Sequence, residues 1–267
     1  MKELIVRGIS GLLYISIIII ALFASREWFS LLFFLLGIIT ITEFQRLIRL
    51  KSYISYLLFA ALFYFLGYKL IDQNAITLYA ILSIFVNLFL LKDLLVVSKI
   101  PMFEKKKYIA LLFYLIPGFV FLSIIPNSSG KFNPLIIVGI FILIWANDSF
   151  AYIIGKNFGK KKLLERISPK KTIEGFFGGL AGTILAGFLI FNYTEQLSLK
   201  IWLIMAVLVT FLGTSGDLIQ SKFKRQAGVK DSGTLMPGHG GIYDRLDSII
   251  FTSPFIYAFL EIISYVS

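Results

Sequence analysis

The chain has no cysteine. That excludes disulfides, thiolate metal sites and thiol nucleophiles. Histidine is nearly absent as well, His239 being the single one. Charge is scarce: 15% of the 267 residues are charged, against about 25% in an ordinary soluble domain. Carboxylates are scarcer than cations, 15 against 26, and the net charge is +11. There is no fixed-period repeat and no low-complexity linker. The paired Gly/Pro-broken spans that mark many inverted-repeat transporters are missing. No Ala-x-Ala-like site follows the first apolar run, and a second run begins at once, so the first is read as a retained span and not a signal peptide.

What the chain has in quantity is apolar sequence: 58% hydrophobic residues and a mean hydropathy of +0.85. Apolar runs near the length of a bilayer crossing predict an all-α, polytopic integral membrane protein. Nine spans are expected, at about 8–25, 28–44, 53–70, 75–97, 108–125, 134–155, 173–192, 201–220 and 248–265. The basic residues test that count. With the N-terminus inside, 22 of the Lys and Arg residues fall on inner segments and four on outer ones: Arg26, Lys69, Lys131 and Lys200. The bias predicts an N-in, C-out chain, and a miscount by one span would scramble it. The positive charge is therefore read as topology and lipid contact, not nucleic-acid binding.

Polar signal is uneven along the chain. Residues 1–133 are nearly all apolar with basic inner turns, and are expected to form a supporting set of helices. Residues 134–267 hold nearly all the polar constellations and are expected to form the catalytic region. The densest is Ser221 to Asp247. It holds five cations (Lys222, Lys224, Arg225, Lys230, Arg245), three carboxylates (Asp231, Asp244, Asp247) and His239, interleaved with glycines. Carboxylates hold a metal, cations neutralise phosphate oxygens, and glycines let backbone N–H groups come close.

Two more aspartates, Asp148 after Asn147 and Asp217 after Gly216, sit at the inner ends of spans, where a carboxylate is costly and suggests function. On a helix, Asp217, Ser221 and Lys224 share one face. Asp244 and Asp247, three apart, are neighbours if the last helix starts there. Asp217, Asp244 and Asp247 could then bind one or two Mg²⁺, with waters and substrate phosphates completing the shell. The segment Gly238, His239, Gly240, Gly241 just before that helix has the makings of an anion-binding nest. The inner loop from Gly155 to Thr172 is a second basic cluster, read as a phosphate clamp through Ser168, Lys170 and Lys171. Thr172, followed by Glu174, is placed to start the next helix.

These residues resemble the phosphatidate cytidylyltransferase (CDP-diacylglycerol synthase) family. Its signature runs Ser-x-x-Lys-Arg, Lys-Asp, Pro-Gly-His-Gly-Gly, Asp-Arg-x-Asp. Here that is Ser221, Lys224, Arg225, Lys230, Asp231, Pro237 to Gly241, Asp244, Arg245 and Asp247. A second similar block runs from Asn147, Asp148 and Ser149 through Gly155, Lys156 and Phe158 to Lys160, then Ser168 to Thr172, Glu174 and Gly175. Strong similarity covers about 145–250. Two positions depart from the pattern: Met236 where a Leu-like residue is usual, and Gln220 where the family often has Glu.

The resemblance implies that CTP and phosphatidate give CDP-diacylglycerol and pyrophosphate with Mg²⁺; whether there are one or two metal positions, and whether one takes a monovalent ion, the sequence leaves open. It also implies a cell-membrane enzyme with its site on the cytoplasmic side, and leaves room for a homodimer. The attacking phosphate monoester has a second pKa near 6, so it needs no strong base and His239 is read as shaping the loop or donating a hydrogen bond. Rival readings are an ion-coupled transporter, whose charges belong at the midplane and not at one face, and a structural scaffold, which leaves the polar cluster unexplained. A CTP-dependent polyprenol kinase or archaeal-type CDP-lipid synthase shares the logic without the full Pro-Gly-His-Gly-Gly run. The Asp-Gly-x-x-Ala-Arg run of a CDP-alcohol phosphotransferase is absent.

Overall fold

A computed structural model describes residues 2–127 and 130–266, with side chains from residue 8 to residue 265. Lys2 and Arg7, counted above among the inner cations, lie outside the described side chains. Helix accounts for 79% of the structure. The order is α1 (Lys2–Ala24), α2 (Arg26–Leu47), α3 (Ile54–Leu62) running into a π-helical stretch (Phe63–Tyr68), then α4 (Gln73–Val96). Next come α5 (Glu104–Ala110), a second π-helical stretch (Leu111–Leu115) and α6 (Ile116–Ile124), which form one continuous rod. Then follow α7 (Pro134–Phe158), β1 (Lys162–Leu164), β2 (Ser168–Thr172), α8 (Ile173–Thr194), α9 (Leu199–Ala227) and α10 (Tyr243–Val266).

Among the described residues, seven helices are long and apolar enough to cross a membrane. Two more apolar helices, Gly8–Ala24 and Ile54–Tyr68, are shorter. The rod Glu104–Asn127 is the most buried of these long helices. Its second π-helical stretch lies just ahead of Pro117, whose missing N–H and ring disfavour a regular i to i−4 ladder. At Gly118 the backbone of α10 comes so close that a Cβ would lie 2.7 Å from Ile250 Cα. The buried side chains form one cluster drawn from both halves of the chain.

The helix starts are set locally. Ser25, Asp72, Asn133, Thr172 and Ser198 each accept a backbone N–H from the first turn that follows. Contacts sort the helix ends into two sets. At one end Glu43 of α2 and Asp93 of α4 meet the ends of α10 and α9, and Ser10 of α1 meets Pro237 in the loop between those two helices. At the other end Arg26 donates to Tyr68 O, Gln73 donates to Tyr257 Oη at 3.0 Å, and Asn133 donates to Gln196.

The all-α expectation needs one correction. Part of the basic loop between α7 and α8 is an antiparallel hairpin, pairing Lys162 with Thr172 and Leu164 with Ser168. It is tied down at its edges: Ile173 N–H donates to Lys161 O, Arg166 donates to Val97 O, and Arg225 Nε donates to Ile167 O.

Candidate active site

Two long helices carry aspartates into the bundle. Asp148 in α7 and Asp217 in α9 each have roughly ten more residues of helix beyond them, about 15 Å. Both spans therefore run further past their carboxylates than the apolar pattern indicated. α7, α8, α9 and the hairpin enclose a cavity of about 550 Å³. Its walls include Asn147, Asp148, Lys156, Lys162, Lys170, Lys171, Thr172 and Asp217. Four lysines and two aspartates thus meet in one recess, and the second basic cluster is drawn to it.

At its floor Lys171 Nζ lies 2.5 Å from Asp217 Oδ2. Burial works to lower the pKa of Lys171. The Asp217 carboxylate, with Asp148 and then Asp247, outweighs burial and holds it above the ordinary lysine value. Three carboxylates therefore act on one ammonium. Ser221 Oγ donates to Asp217 Oδ1 at 3.1 Å, one turn along the helix face that the sequence indicated. Lys224, expected beside Asp217, donates to Asp244 Oδ1 at 2.7 Å, and its charge also acts on Asp217. Asn147 Oδ1 is buried at the cavity with no hydrogen-bond partner among the described residues. Thr172 Oγ1 accepts the Gly175 N–H at 3.1 Å and starts α8.

The last helix begins at Tyr243, five residues earlier than its apolar run, so Asp244 and Asp247 do lie in its first turns. Their environments differ. Asp244 is saturated: Oδ1 accepts from Lys224 Nζ and from Gln220 Nε2 at 3.0 Å. Its Oδ2 accepts from Ser232 N–H at 2.8 Å, Ser232 Oγ at 3.0 Å and Gly241 N–H at 2.9 Å. Asp247 accepts a hydrogen bond from Ser248 N–H at 2.8 Å. Asp217, Asp244 and Asp247, expected to act as one set, thus have different partners, and among the described residues no three such side chains gather closely enough to hold one metal ion. Gln220 acts as an amide donor to Asp244, which an ionised Glu there could not do.

The glycine loop is likewise occupied. Gly238 and Gly240 have φ of 74° and 88°, in the left-handed region where glycine is at ease. The loop closes on itself: His239 and Gly240 N–H groups donate to Met236 O, and Gly241 N–H donates to Asp244. In the segment expected to form an anion nest, Gly238 to Gly241, three N–H groups already meet acceptors of the protein itself. His239 Nδ1 stands 2.7 Å from Ser10 Oγ, and its ring lies against Gly11 of α1. It is not a wall of the cavity. Arg225, Lys230, Asp231 and Arg245 are exposed; Arg225 holds the hairpin and Val229 O, away from the carboxylates. Ser168 and Lys170 lie on β2, Lys170 exposed at the cavity.

Two residues carry weight that sequence reasoning missed. Lys222 is 2% exposed, and its ammonium donates to Asp93 O at 2.5 Å, Val97 O at 2.7 Å and Leu94 O at 3.3 Å. It satisfies the carbonyls at the end of α4 and is not a phosphate ligand. Glu43 is 4% exposed in α2, and it accepts from Ser232 Oγ and the backbone of Ile242 and Tyr243. An acid inside an apolar span was the available signal for Glu43. Nothing local marks Lys222 apart from its neighbours.

Comparison with known proteins bears on this geometry. The model of the Cytidylyltransferase family matches residues 5–263. A protein of Bacillus subtilis named phosphatidate cytidylyltransferase is 32% identical over 272 residues, 99% of each chain. Proteins of that name from Staphylococcus epidermidis and Staphylococcus aureus are 48% and 45% identical over 118 residues. Those two alignments span 43% of this chain and 45% of the staphylococcal proteins. With a match from residue 5 to residue 263 and an end-to-end relative, the chain belongs to the cytidylyltransferase family.

Proposed function

We propose that this chain is a phosphatidate cytidylyltransferase. A phosphate oxygen of phosphatidate attacks the α-phosphorus of CTP. A new P–O bond forms, the bond from the α-phosphorus to the oxygen bridging to the β-phosphate breaks, and pyrophosphate leaves with that oxygen. The products are CDP-diacylglycerol and pyrophosphate. The observation that carries the reading is the cavity, where Lys156, Lys162, Lys170 and Lys171 surround the Asp148 and Asp217 carboxylates.

The chemical obstacle is charge. The lipid phosphate is already largely dianionic at neutral pH, given a second pKa near 6, so no residue has to remove a proton from it. What is required is to bring two polyanions together and hold them in line. The cavity lysines supply that neutralisation. Lys171, paired with Asp217 in the free protein, gains a further anionic partner when a phosphate enters. Asn147 Oδ1 offers an unpaired acceptor in the same wall.

Mg²⁺ fits the donor set. It is usually held by one or two carboxylates together with substrate phosphates and waters. Asp217 and Asp247 would hold it, while Asp244, filled by protein donors, keeps the loop in shape. When bound, the ion supplies further neutralisation of phosphate oxygens.

The membrane arrangement in this proposal has nine crossings in the cell membrane, N-terminus in, C-terminus out, with the cavity on the cytoplasmic side. The basic bias of 22 to four and the sorting of helix ends into two contact sets support it. Residues 134–267 form the catalytic region, and residues 1–133 support it. A reporter fused after Ser267 is expected outside the cytoplasm; a cytoplasmic signal contradicts the nine-span arrangement. The reaction is tested with purified protein in detergent, labelled CTP, Mg²⁺ and either phosphatidate or a polyprenol. Labelled CDP-diacylglycerol with phosphatidate alone supports the proposal. Labelled product with the polyprenol alone, or none with either, refutes it.

A further inference from the structure

The half of the chain without a motif holds the motif's loop. Glu43 Oε2 accepts from Ser232 Oγ and Tyr243 N–H, both at 2.8 Å, and Oε1 accepts from Ile242 N–H at 3.1 Å. The partners lie 189 to 200 residues away in sequence. Two of the donors are the backbone N–H groups that open α10, which have no partner within their own helix. A carboxylate placed there is favoured by the helix dipole and by charge-assisted hydrogen bonds. Next to it Phe44 packs edge-on against Tyr243 with ring centroids 5.8 Å apart. Ser232 Oγ lies within hydrogen-bond distance of both Glu43 and Asp244, so its single proton links the two carboxylates. Gly233 and Gly241 both lie against the Glu43 carboxylate, where a Cβ would collide with it.

We propose that Glu43 is a positioning residue for the reaction. Through Ser232, Ile242 and Tyr243 it sets the start of α10, and so the placement of Asp244 and Asp247 relative to Asp217 and the cavity. The kinetic side of this rests on the cytidylyltransferase reading; the structural side does not. Asparagine or glutamine cannot replace it fully, because an amide offers one acceptor oxygen and turns an NH₂ donor toward N–H donors.

The test uses the intact protein in lipid nanodiscs. Hydrogen exchange along the chain and steady-state kinetics are measured for the wild type, Glu43→Gln, Glu43→Asp and Ser232→Ala. In Glu43→Gln, exchange across 232–243 is expected to rise about tenfold while α7 and α8 keep wild-type exchange. The kcat is expected to fall roughly tenfold to a hundredfold, with the KM for CTP within about threefold of wild type. Glu43→Asp, which keeps two acceptor oxygens, recovers part of both effects, and Ser232→Ala gives a smaller rise in exchange. Unchanged exchange across 232–243 in Glu43→Gln overturns the proposal. A rise spread evenly over the whole chain overturns it too, since that marks general loss of fold. If the wild type itself turns over no CTP, the reaction assignment fails, and the exchange pattern still decides the role of Glu43.

Discussion

The two halves of the chain use buried charge in different ways. In α1 to α6, Glu43 and Asp93 are filled by protein partners: Glu43 by three donors, Asp93 by Lys106 at 2.6 Å. In α7 to α9, Asp148, Asp217 and Lys171 border an open recess. A saturated carboxylate fixes structure; one with unused capacity at a cavity can meet a ligand. Asp244 crosses the division. It lies within the motif, yet its donors come from Gln220, Lys224, Ser232 and Gly241, which puts it with Glu43.

Aspartates with and without filled acceptors are expected to respond differently to the same substitution. Asp217→Asn and Asp247→Asn are expected to leave the fold intact and lower kcat by roughly a hundredfold or more, the scale of a lost charge-stabilising group. High Mg²⁺ should restore part of that activity. Asp244→Asn is expected to lower activity and the melting temperature together, at a cost of about 1–3 kcal/mol for the donors left unpaired. Excess Mg²⁺ should not rescue it. Equal rescue of all three would return Asp244 to the metal set.

A second contrast compares lysines. Lys171→Ala is expected to cut kcat/KM for CTP by about tenfold or more, while Lys105→Ala changes it less than about twofold. Lys106 is a poor control, because it neutralises the buried Asp93. Equal mild losses at Lys171 and Lys105 would reduce the cavity lysines to topology signals. Lys222→Met separates the halves further. It is expected to lower stability by about 1–3 kcal/mol, read by thermal melting, with the KM for CTP unchanged. Smallest is Ser10→Ala, which removes the contact of α1 with His239 and Pro237 and is expected to cost about 1 kcal/mol of stability. A larger loss of turnover there than at Lys171 would move His239 into the chemistry.

Much of the architecture was legible because it is periodic or local. Each of the nine apolar runs coincides with helix, and seven of these helices are long and apolar enough to cross a membrane, where a helix satisfies its own backbone. Thr172 as a cap and Asp217 with Ser221 on one face follow from one-turn geometry. Other features depend on distant partners. The hairpin at 162–172 is short and lysine-rich, and is held by Arg166 and Arg225 from contacts no local pattern encodes. Lys222 has the charge of its neighbours and differs from Lys224 in pointing to α4 instead of α10. The glycines of the motif suggested an anion nest, but spacing alone does not reveal that Asp244 takes the Gly241 N–H.

The cytidylyltransferase transfers a cytidylyl group and not a terminal phosphate. Two samples of CTP, labelled at the α- or the γ-phosphate, decide it when incubated with the purified protein, phosphatidate and Mg²⁺. The α-label is expected in lipid-extractable CDP-diacylglycerol while γ-label leaves as pyrophosphate, and Asp217→Asn is expected to slow both by roughly a hundredfold or more. Label from the γ-phosphate in the lipid fraction, or consumption of CTP without lipid labelling, would contradict it.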